Sequence, residues 1–142
     1  MKKIILSGLM MAFSISLNAQ TIFGVWENRD DETNKVDSYI EVFEKDGKAF
    51  AKIIEITDPL KQTNVCDLCE GSYKNKLILG MTILTNLVKD GDEWSDGEIL
   101  DPKNGKVYDC YISLASDNKL KIRGFIGFSL LGRTAYWYRK KT

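Results

Sequence analysis

The feature that most constrains the fold is a series of short segments in which apolar and polar residues alternate. Two-residue turn signals separate these segments, above all Asp46-Gly47 and Asp117-Asn118. Because successive side chains point to opposite faces of a strand, this period of two predicts β-strands with one apolar face each. The clearest predicted strands are residues 21–28, 36–44, 48–56, 94–100, 107–115, 119–126 and 133–140.

The predicted strands follow one another through tight turns, which indicates an all-β, antiparallel up-and-down meander. Leu77 to Val88 is also apolar, but its periodicity fits either a strand with a turn or a short helix. With this segment the chain has about eight strands, enough for a barrel that encloses side chains or one small ligand. We therefore expect a small barrel, with a sandwich as the alternative. Residues 20–142 form a single domain, since no repeat or linker interrupts the pattern.

The N-terminus has the pattern of a cleaved secretory signal. Lys2 and Lys3 precede an apolar run from Ile4 to Leu17, and Leu17-Asn18-Ala19 fits a small-residue cleavage site. The run is too short for a permanent transmembrane helix, and no later stretch reaches that length. Residues 1–19 are therefore predicted to be a signal peptide. We expect a soluble mature protein that is exported, periplasmic or extracellular, where disulfides persist.

Composition excludes several classes of function. The chain has no histidine, which removes histidine-dependent catalysis and histidine metal ligation. Its 20 basic and 20 acidic residues balance, so no strong field favours nucleic acid. No carboxylate pair stands out as catalytic, and we predict no catalytic residues, no metal and no cofactor.

The three cysteines allow four interpretations. Cys66 and Cys69 lie two residues apart in an irregular acidic loop, and Cys110 lies in a predicted strand. A redox pair needs a helix N-terminus that the pattern lacks, and a zinc site would need Asp67, Glu70 or another chain as fourth ligand. A Cys66–Cys69 disulfide with Cys110 as a buried thiol is favoured, and a bridge to Cys110 is the alternative.

Several alternating segments share an apolar face that we expect to line the barrel interior. The register of residues 48–56 is unclear, because two alternating apolar sets compete. If the set with Phe50 faces inward, Lys52 does too and is able to pair with an anionic head group. A filled core and a ligand cavity both fit this pattern. The candidate ligand-binding residues are Ile40, Val42, Lys52, Tyr108, Ile112, Leu114, Leu120 and Ile122.

Two motifs are weak matches to known binding loops. Gly127 to Thr134 is close to a phosphate-binding loop, but it has arginine in place of lysine and no strand–loop–helix context. We interpret it as a turn in which Gly127 and Gly132 adopt unusual backbone angles. Asp90 to Asp96 fails the calcium-loop spacing and is interpreted as a hairpin turn.

The motif Gly24-Val25-Trp26 opens the first predicted strand, and Trp137-Tyr138-Arg139 lies in the last. A G-x-W at the start of an antiparallel barrel resembles the lipocalin and wider calycin signature. In that signature the tryptophan plugs one barrel end, and an arginine from a late strand stacks on the indole. The resemblance implies a structural role for Trp26 and Arg139, with Arg133 as the alternative arginine.

A more specific resemblance extends from Gly24 to Arg139. After CDLCEG and LGMTIL come DPKNGKVYDCYISL, LKIRGFIGFSLLGRT and YWYR, in that order. This series resembles the exported bacterial family catalogued as domain of unknown function 2147. The resemblance implies a small calycin-like β-barrel of the cell envelope and carries over no catalytic residue.

Three functions follow from these observations. The first is non-enzymatic binding of a small apolar molecule inside the barrel. The second is a solid barrel that acts through its outer surface as an envelope interaction or structural protein. The third is an enzyme that uses tyrosine, lysine and carboxylate groups in the barrel mouth, such as Tyr108 and Lys52.

Overall fold

The alternating segments form eight strands that close into one antiparallel barrel. The structure is a computed structural model that describes residues 20–128 and 130–141; the predicted signal peptide, residues 1–19, lies outside the described residues. Each strand pairs with the next, and the last pairs with the first. The predicted all-β meander and its closure are therefore confirmed. Strands β1 to β8 are Gly24–Arg29, Val36–Lys45, Lys48–Ile56, Thr82–Asp90, Glu93–Asp101, Lys106–Ser116, Lys119–Phe125 and Gly132–Arg139.

The β2–β3 hairpin illustrates how local sequence sets the register. Asp46 and Gly47 both have positive φ, 54° and 76°, which is the backbone that a two-residue hairpin turn requires. Lys45 therefore pairs with Lys48, and the ladder continues along both strands. Asp46-Gly47 is thus the turn that the sequence predicts.

The apolar segment from Leu77 to Val88, whose periodicity fits a strand or a helix, contains most of strand β4. Its two most buried leucines, Leu84 and Leu87, are three residues apart rather than two. Asn86 lies between them with φ 60°, and Asp96 on β5 has φ 62°. A left-handed residue of this kind shifts the alternation, as a β-bulge does, so both leucines face the interior.

The barrel has two unlike ends. At the closed end lie the segment before β1 and the β2–β3, β4–β5 and β6–β7 turns. This half is filled by side chains with at most 2% exposure: Trp26, Val42, Leu84, Leu87, Cys110, Ile112 and Leu120. At the open end lie the other four connections, of which the β3–β4 loop, residues 57–81, is the longest. It contains two short 3-10 helices, Pro59–Lys61 and Gly71–Tyr73.

The seam between β1 and β8 is short. Its ladder within the described chain consists of Trp26 with Arg139 and Glu27 with Tyr138, both near the closed end. Towards the open end, an exposed ion pair between Arg133 and Asp31 (2.9 Å) links the two sides. The barrel is therefore held most tightly at its closed end.

Among residues 20–128 and 130–141, no helix combines the length and apolar character needed to cross a membrane.

Candidate functional site

A cavity occupies the half of the barrel next to the open end, which we call the upper half, and it opens at that end. Its volume is about 680 Å³, within the range of small-molecule sites. The wall is mainly apolar, and polar side chains are concentrated at the mouth. The apolar wall includes Ile40, Ile53, Ile56, Ile78, Ile83, Ile99, Leu100, Tyr108, Ile122, Phe125, Ala135 and Trp137.

The predicted interior residues divide between this cavity and the packed half. Ile40, Tyr108 and Ile122 line the cavity. The other apolar members of the set belong to the filled half: Val42, Ile112 and Leu120 are buried in the core, and Leu114 packs against it. The interior is thus solid near the closed end and hollow near the open end.

The prediction that Lys52 faces the interior is wrong. On β3 the inward set is Ala49, Ala51 and Ile53, all buried, so Lys52 lies on the outer face. There its ammonium is 3.5 Å from a Glu41 carboxylate oxygen. The small alanines occupy the inside because their ladder partners on β4 are large leucines, Leu87 opposite Ala49 and Leu84 opposite Ala51.

Several residues that line the cavity lie outside the set predicted from the sequence. The two competing apolar sets in residues 48–56 do not identify Ile53 as inward, and the bulge in β4 breaks the alternation that would identify Ile83. Trp137 is buried, lines the cavity from β8, and pairs with Leu120. The alternation of Trp137 with Ala135 along the last strand is the sequence signal that identifies both as inward.

A cluster of polar groups interrupts the apolar wall on β1 and β2. Asn28 Nδ2 donates to Asp37 Oδ1 at 2.8 Å, and Ser38 Oγ donates to the same oxygen at 3.2 Å. All three residues line the cavity near its mouth. Across the barrel, Asn104 Nδ2 donates to the Tyr108 hydroxyl at 2.9 Å. The upper cavity thus offers hydrogen bonds to a polar group, while its depth is apolar.

Two arginines at the mouth already have partners within the protein. Arg29 Nη2 lies 3.0 Å from a Glu27 carboxylate oxygen, and its guanidinium lies 4.1 Å from the centre of the Tyr138 ring. Arg133 pairs with Asp31. The cavity lining as a whole has four basic and four acidic side chains, so it selects no strong ligand charge.

The β1–β2 loop at the same end is ordered by Asp30. The carboxylate accepts hydrogen bonds from the backbone N–H of Glu32 and of Thr33, both at 2.9 Å. The Thr33 bond, followed by the Glu32 bond, lowers the pKa of Asp30 below its ordinary value.

The disulfide loop forms one wall of the mouth. Cys66 and Cys69 are joined by a disulfide and both are buried, as the favoured interpretation predicted. The Cys66 N–H donates to the Lys76 carbonyl at 2.8 Å, and the Cys66 carbonyl accepts from Asn75 at 2.9 Å. The loop also packs on the β5–β6 turn: a Cβ at Gly105 would come within 2.7 Å of Cys69 N. The disulfide therefore stabilises a wall of the cavity.

Cys110 is a free thiol buried in the filled half of the barrel. Its ladder partners are Gly97 on β5 and Gly124 on β7. Burial, with smaller contributions from the charges of Asp109 and Glu98, raises the pKa of the thiol to about 12. Such a thiol stays protonated and is a poor nucleophile.

The closed end carries the tryptophan–arginine pair. The Arg139 guanidinium lies 4.3 Å from the centre of the Trp26 ring. Trp26 Nε1 donates to the Ile22 carbonyl at 2.9 Å, which satisfies its buried N–H. Arg139 occupies the stacked position, whereas Arg133 lies at the mouth.

The described residues contain no group of three or more side chains placed to hold a metal ion. The site is an apolar cavity with a polar mouth, which can bind a molecule of matching polarity.

An eight-stranded antiparallel barrel, filled at one end and hollow at the other, defines the class of lipocalin-like barrels. The fold is similar to that of protein HP1028 from Helicobacter pylori, which is described as belonging to the lipocalin family. The TM-score is 0.74 at 21% identity, covering 87% of this chain and 85% of the other. A comparison with curated proteins found no match.

The family follows from the sequence itself. Residues 24–139 match the family described as "Uncharacterized protein conserved in bacteria (DUF2147)". The chain therefore belongs to this family, and the resemblance inferred from its motifs is confirmed.

Proposed function

We propose that the protein binds a small apolar molecule with one polar end in the upper half of its barrel. The observation that carries this proposal is the cavity of about 680 Å³ with an apolar depth and a polar mouth. The apolar body would lie against residues such as Ile53, Ile83 and Trp137. The polar end would reach the group formed by Asn28, Asp37 and Ser38.

The two alternative functions have less support. A solid barrel needs a filled interior, and the upper half is hollow. The enzyme interpretation named Tyr108 and Lys52 as examples of convergent groups, and of these two Tyr108 lines the cavity while Lys52 lies on the outer face beside Glu41. Binding rather than catalysis is therefore the function that this geometry supports best.

Export remains part of the proposal. Residues 1–19 have the pattern of a signal peptide, and the chain contains a disulfide, which persists in oxidising compartments. We infer a protein of the bacterial periplasm or exterior that holds its ligand outside the cytoplasm.

Binding is tested with a variant whose larger side chains fill the cavity. Gly124 has space beside it, since an added Cβ would lie 3.5 Å from Tyr108 Cβ and 3.7 Å from Ile99 Cγ2. Ala135 also lines the cavity. The variant Gly124→Leu/Ala135→Leu therefore occupies ligand space without entering the packed half. Ala115→Leu is the matched control, because Ala115 is exposed on β6 and lies outside the cavity lining.

The probe is N-phenyl-1-naphthylamine, an uncharged apolar fluorophore, and energy transfer from tryptophan reports its proximity. We expect the wild type and Ala115→Leu to bind the probe alike. The filled variant should bind it at least about tenfold more weakly, since each excluded contact is apolar burial lost. Equal probe binding by the filled variant would overturn the proposal. Native mass spectrometry of the gently purified protein then identifies any ligand that is retained.

A further inference from the structure

The exposed apolar side chains of the barrel are concentrated at its open end. The described chain has twelve large apolar or tyrosine side chains that are exposed, and nine of these lie in the loops or strand ends around the mouth. Isolated exposed apolar residues are ordinary, but a contiguous group marks an interaction site. This group is therefore a candidate docking surface.

The β7–β8 connection forms the tip of this surface. Ile126 is 65% exposed, Phe128 74%, Leu130 90% and Leu131 70%. The sequence from Gly124 to Gly132 contains no ionisable residue. We call the exposed residues Ile126, Phe128, Leu130 and Leu131 the rim tip.

The rim tip is continuous with two other apolar surfaces. Ile126 and Leu131 also line the cavity, so the tip borders its mouth. On the other side, Ile126 shares a smaller hollow with Leu68 of the disulfide loop and Val107 of β6, both exposed. The apolar surface thus runs from the disulfide loop past the tip into the cavity.

The chemistry of the tip favours a lipid bilayer over a protein partner. Protein-binding hot spots are rich in tryptophan, tyrosine and arginine, and leucine is under-represented in them. The rim tip is three aliphatic side chains and one phenylalanine, the composition that inserts below lipid head groups. The cavity lining carries equal numbers of basic and acidic side chains, so we do not expect membrane binding to depend on the charge of the lipid.

We propose that the rim tip inserts into the surface of a lipid bilayer and seats the cavity mouth against the membrane. Insertion by about 5–10 Å is enough to bury four side chains of this size. A barrel seated in this way opens its apolar cavity towards hydrocarbon rather than water. That last consequence rests on the proposed function, whereas insertion itself rests on the exposed side chains alone.

The experiment measures co-sedimentation with vesicles, using the chain from Gln20, which carries the whole closed barrel. Vesicles of phosphatidylcholine and of phosphatidylglycerol are compared. Phe128→Ser/Leu130→Ser/Leu131→Ser removes most of the apolar tip, and Ile54→Ser/Val88→Ser is the control because both residues are exposed but belong neither to the rim tip nor to the cavity lining. Leu130→Ser alone, at the most exposed position, guards against misfolding of the triple variant.

We expect the wild type and the control to bind both vesicles with affinities within about threefold of each other, and to keep binding in about 0.5 M salt. The triple variant should bind about tenfold or more weakly, and Leu130→Ser should lie between. Absence of wild-type binding, or loss of binding in salt, would overturn insertion. The first outcome would leave the rim tip as a protein-docking surface.

Probe binding on the same variants separates this proposal from the proposed function. Leu130→Ser should retain N-phenyl-1-naphthylamine while its vesicle binding weakens, because Leu130 belongs to the rim tip and does not line the cavity. Gly124→Leu/Ala135→Leu should lose the probe while it retains vesicles. Loss of the probe alone would therefore address the cavity, and loss of vesicle binding alone would address the rim tip.

Discussion

Arg139 joins four parts of the closed end, so its removal should destabilise the barrel more than removal of any exposed cation. Nε donates to the Asp117 carbonyl at 2.9 Å, Nη2 to the Thr21 carbonyl at 2.8 Å, and Nη1 to the Phe23 carbonyl at 3.4 Å. The guanidinium also covers the Trp26 ring. These contacts tie the segment before β1 and the β6–β7 turn to the short β1–β8 seam.

The magnitude follows from these contacts. A hydrogen bond from a charged donor contributes roughly 1.5–3 kcal/mol when desolvated, and partial exposure reduces this to about 1 kcal/mol. Two well-formed bonds, one longer bond and a cation–π contact of about 0.5–1 kcal/mol together amount to about 3 kcal/mol. We expect Arg139→Leu to lose about 3 kcal/mol. Arg139→Lys should lose about 2 kcal/mol, because an ammonium lacks the planar fork that reaches several carbonyls.

Urea unfolding followed by tryptophan fluorescence measures this loss. A loss of about 3 kcal/mol should lower the midpoint by about 1.5 M urea. Arg133→Leu is the control, since Arg133 forms an exposed ion pair whose loss should cost less than about 1 kcal/mol. If Arg139→Leu and Arg133→Leu unfold at the same urea concentration, the closed end does not depend on Arg139 and the reasoning fails.

Three further outcomes are expected. Replacing Cys66 and Cys69 by serine should lower the free energy of unfolding by about 2 kcal/mol on the chain-entropy model, measured by urea unfolding against the wild type with its disulfide intact. Because the pKa of Cys110 rises from 9.0 to about 12 on folding, its contribution to stability is full below pH 9. Above that pH it should fall by up to about 1.4 kcal/mol per pH unit, and a serine variant should lack this slope. Gly97→Ala should destabilise by roughly 1–3 kcal/mol, because its Cβ would come within 2.6 Å of a Leu87 side-chain carbon, whereas Gly124→Ala should not.

The strand pattern was predictable wherever one face is apolar and the turn is local. Asp46-Gly47 sets its hairpin by backbone preference alone, so the sequence contains the whole signal. The segment that became β4 was ambiguous for a physical reason. Leu84 and Leu87 are three residues apart, a spacing that also fits a helix, and in the strand both face inward because Asn86 between them is left-handed. The bulge depends on pairing with β5, which a reading of the segment alone does not include.

The site was less predictable, because which residues line it depends on how side chains of neighbouring strands share the volume of the barrel interior. On β3 the large aromatic faces outward: Phe50 stacks on Phe43 with ring centres 5.8 Å apart. The alanines face inward because the opposite leucines fill the space. The turn expected to use two unusual glycines uses one, since Gly127 has φ 78°. Gly132 is required instead for close packing, as its Cβ would lie 2.8 Å from Phe125 Cβ.

The division between the two ends explains how a small barrel can keep a cavity. Stability comes from the closed half, where Trp26 and its neighbours are packed without exposure. In the upper half, Gly124 and Ala135 line the cavity, and larger side chains at these positions would fill part of it. Larger apolar side chains there would add burial worth roughly 25 cal/mol per Å². The small residues therefore keep the free energy of unfolding lower than it could be. Small side chains are expected at these positions if a ligand occupies the cavity, because the bound ligand then buries the apolar wall that the protein's own side chains leave uncovered.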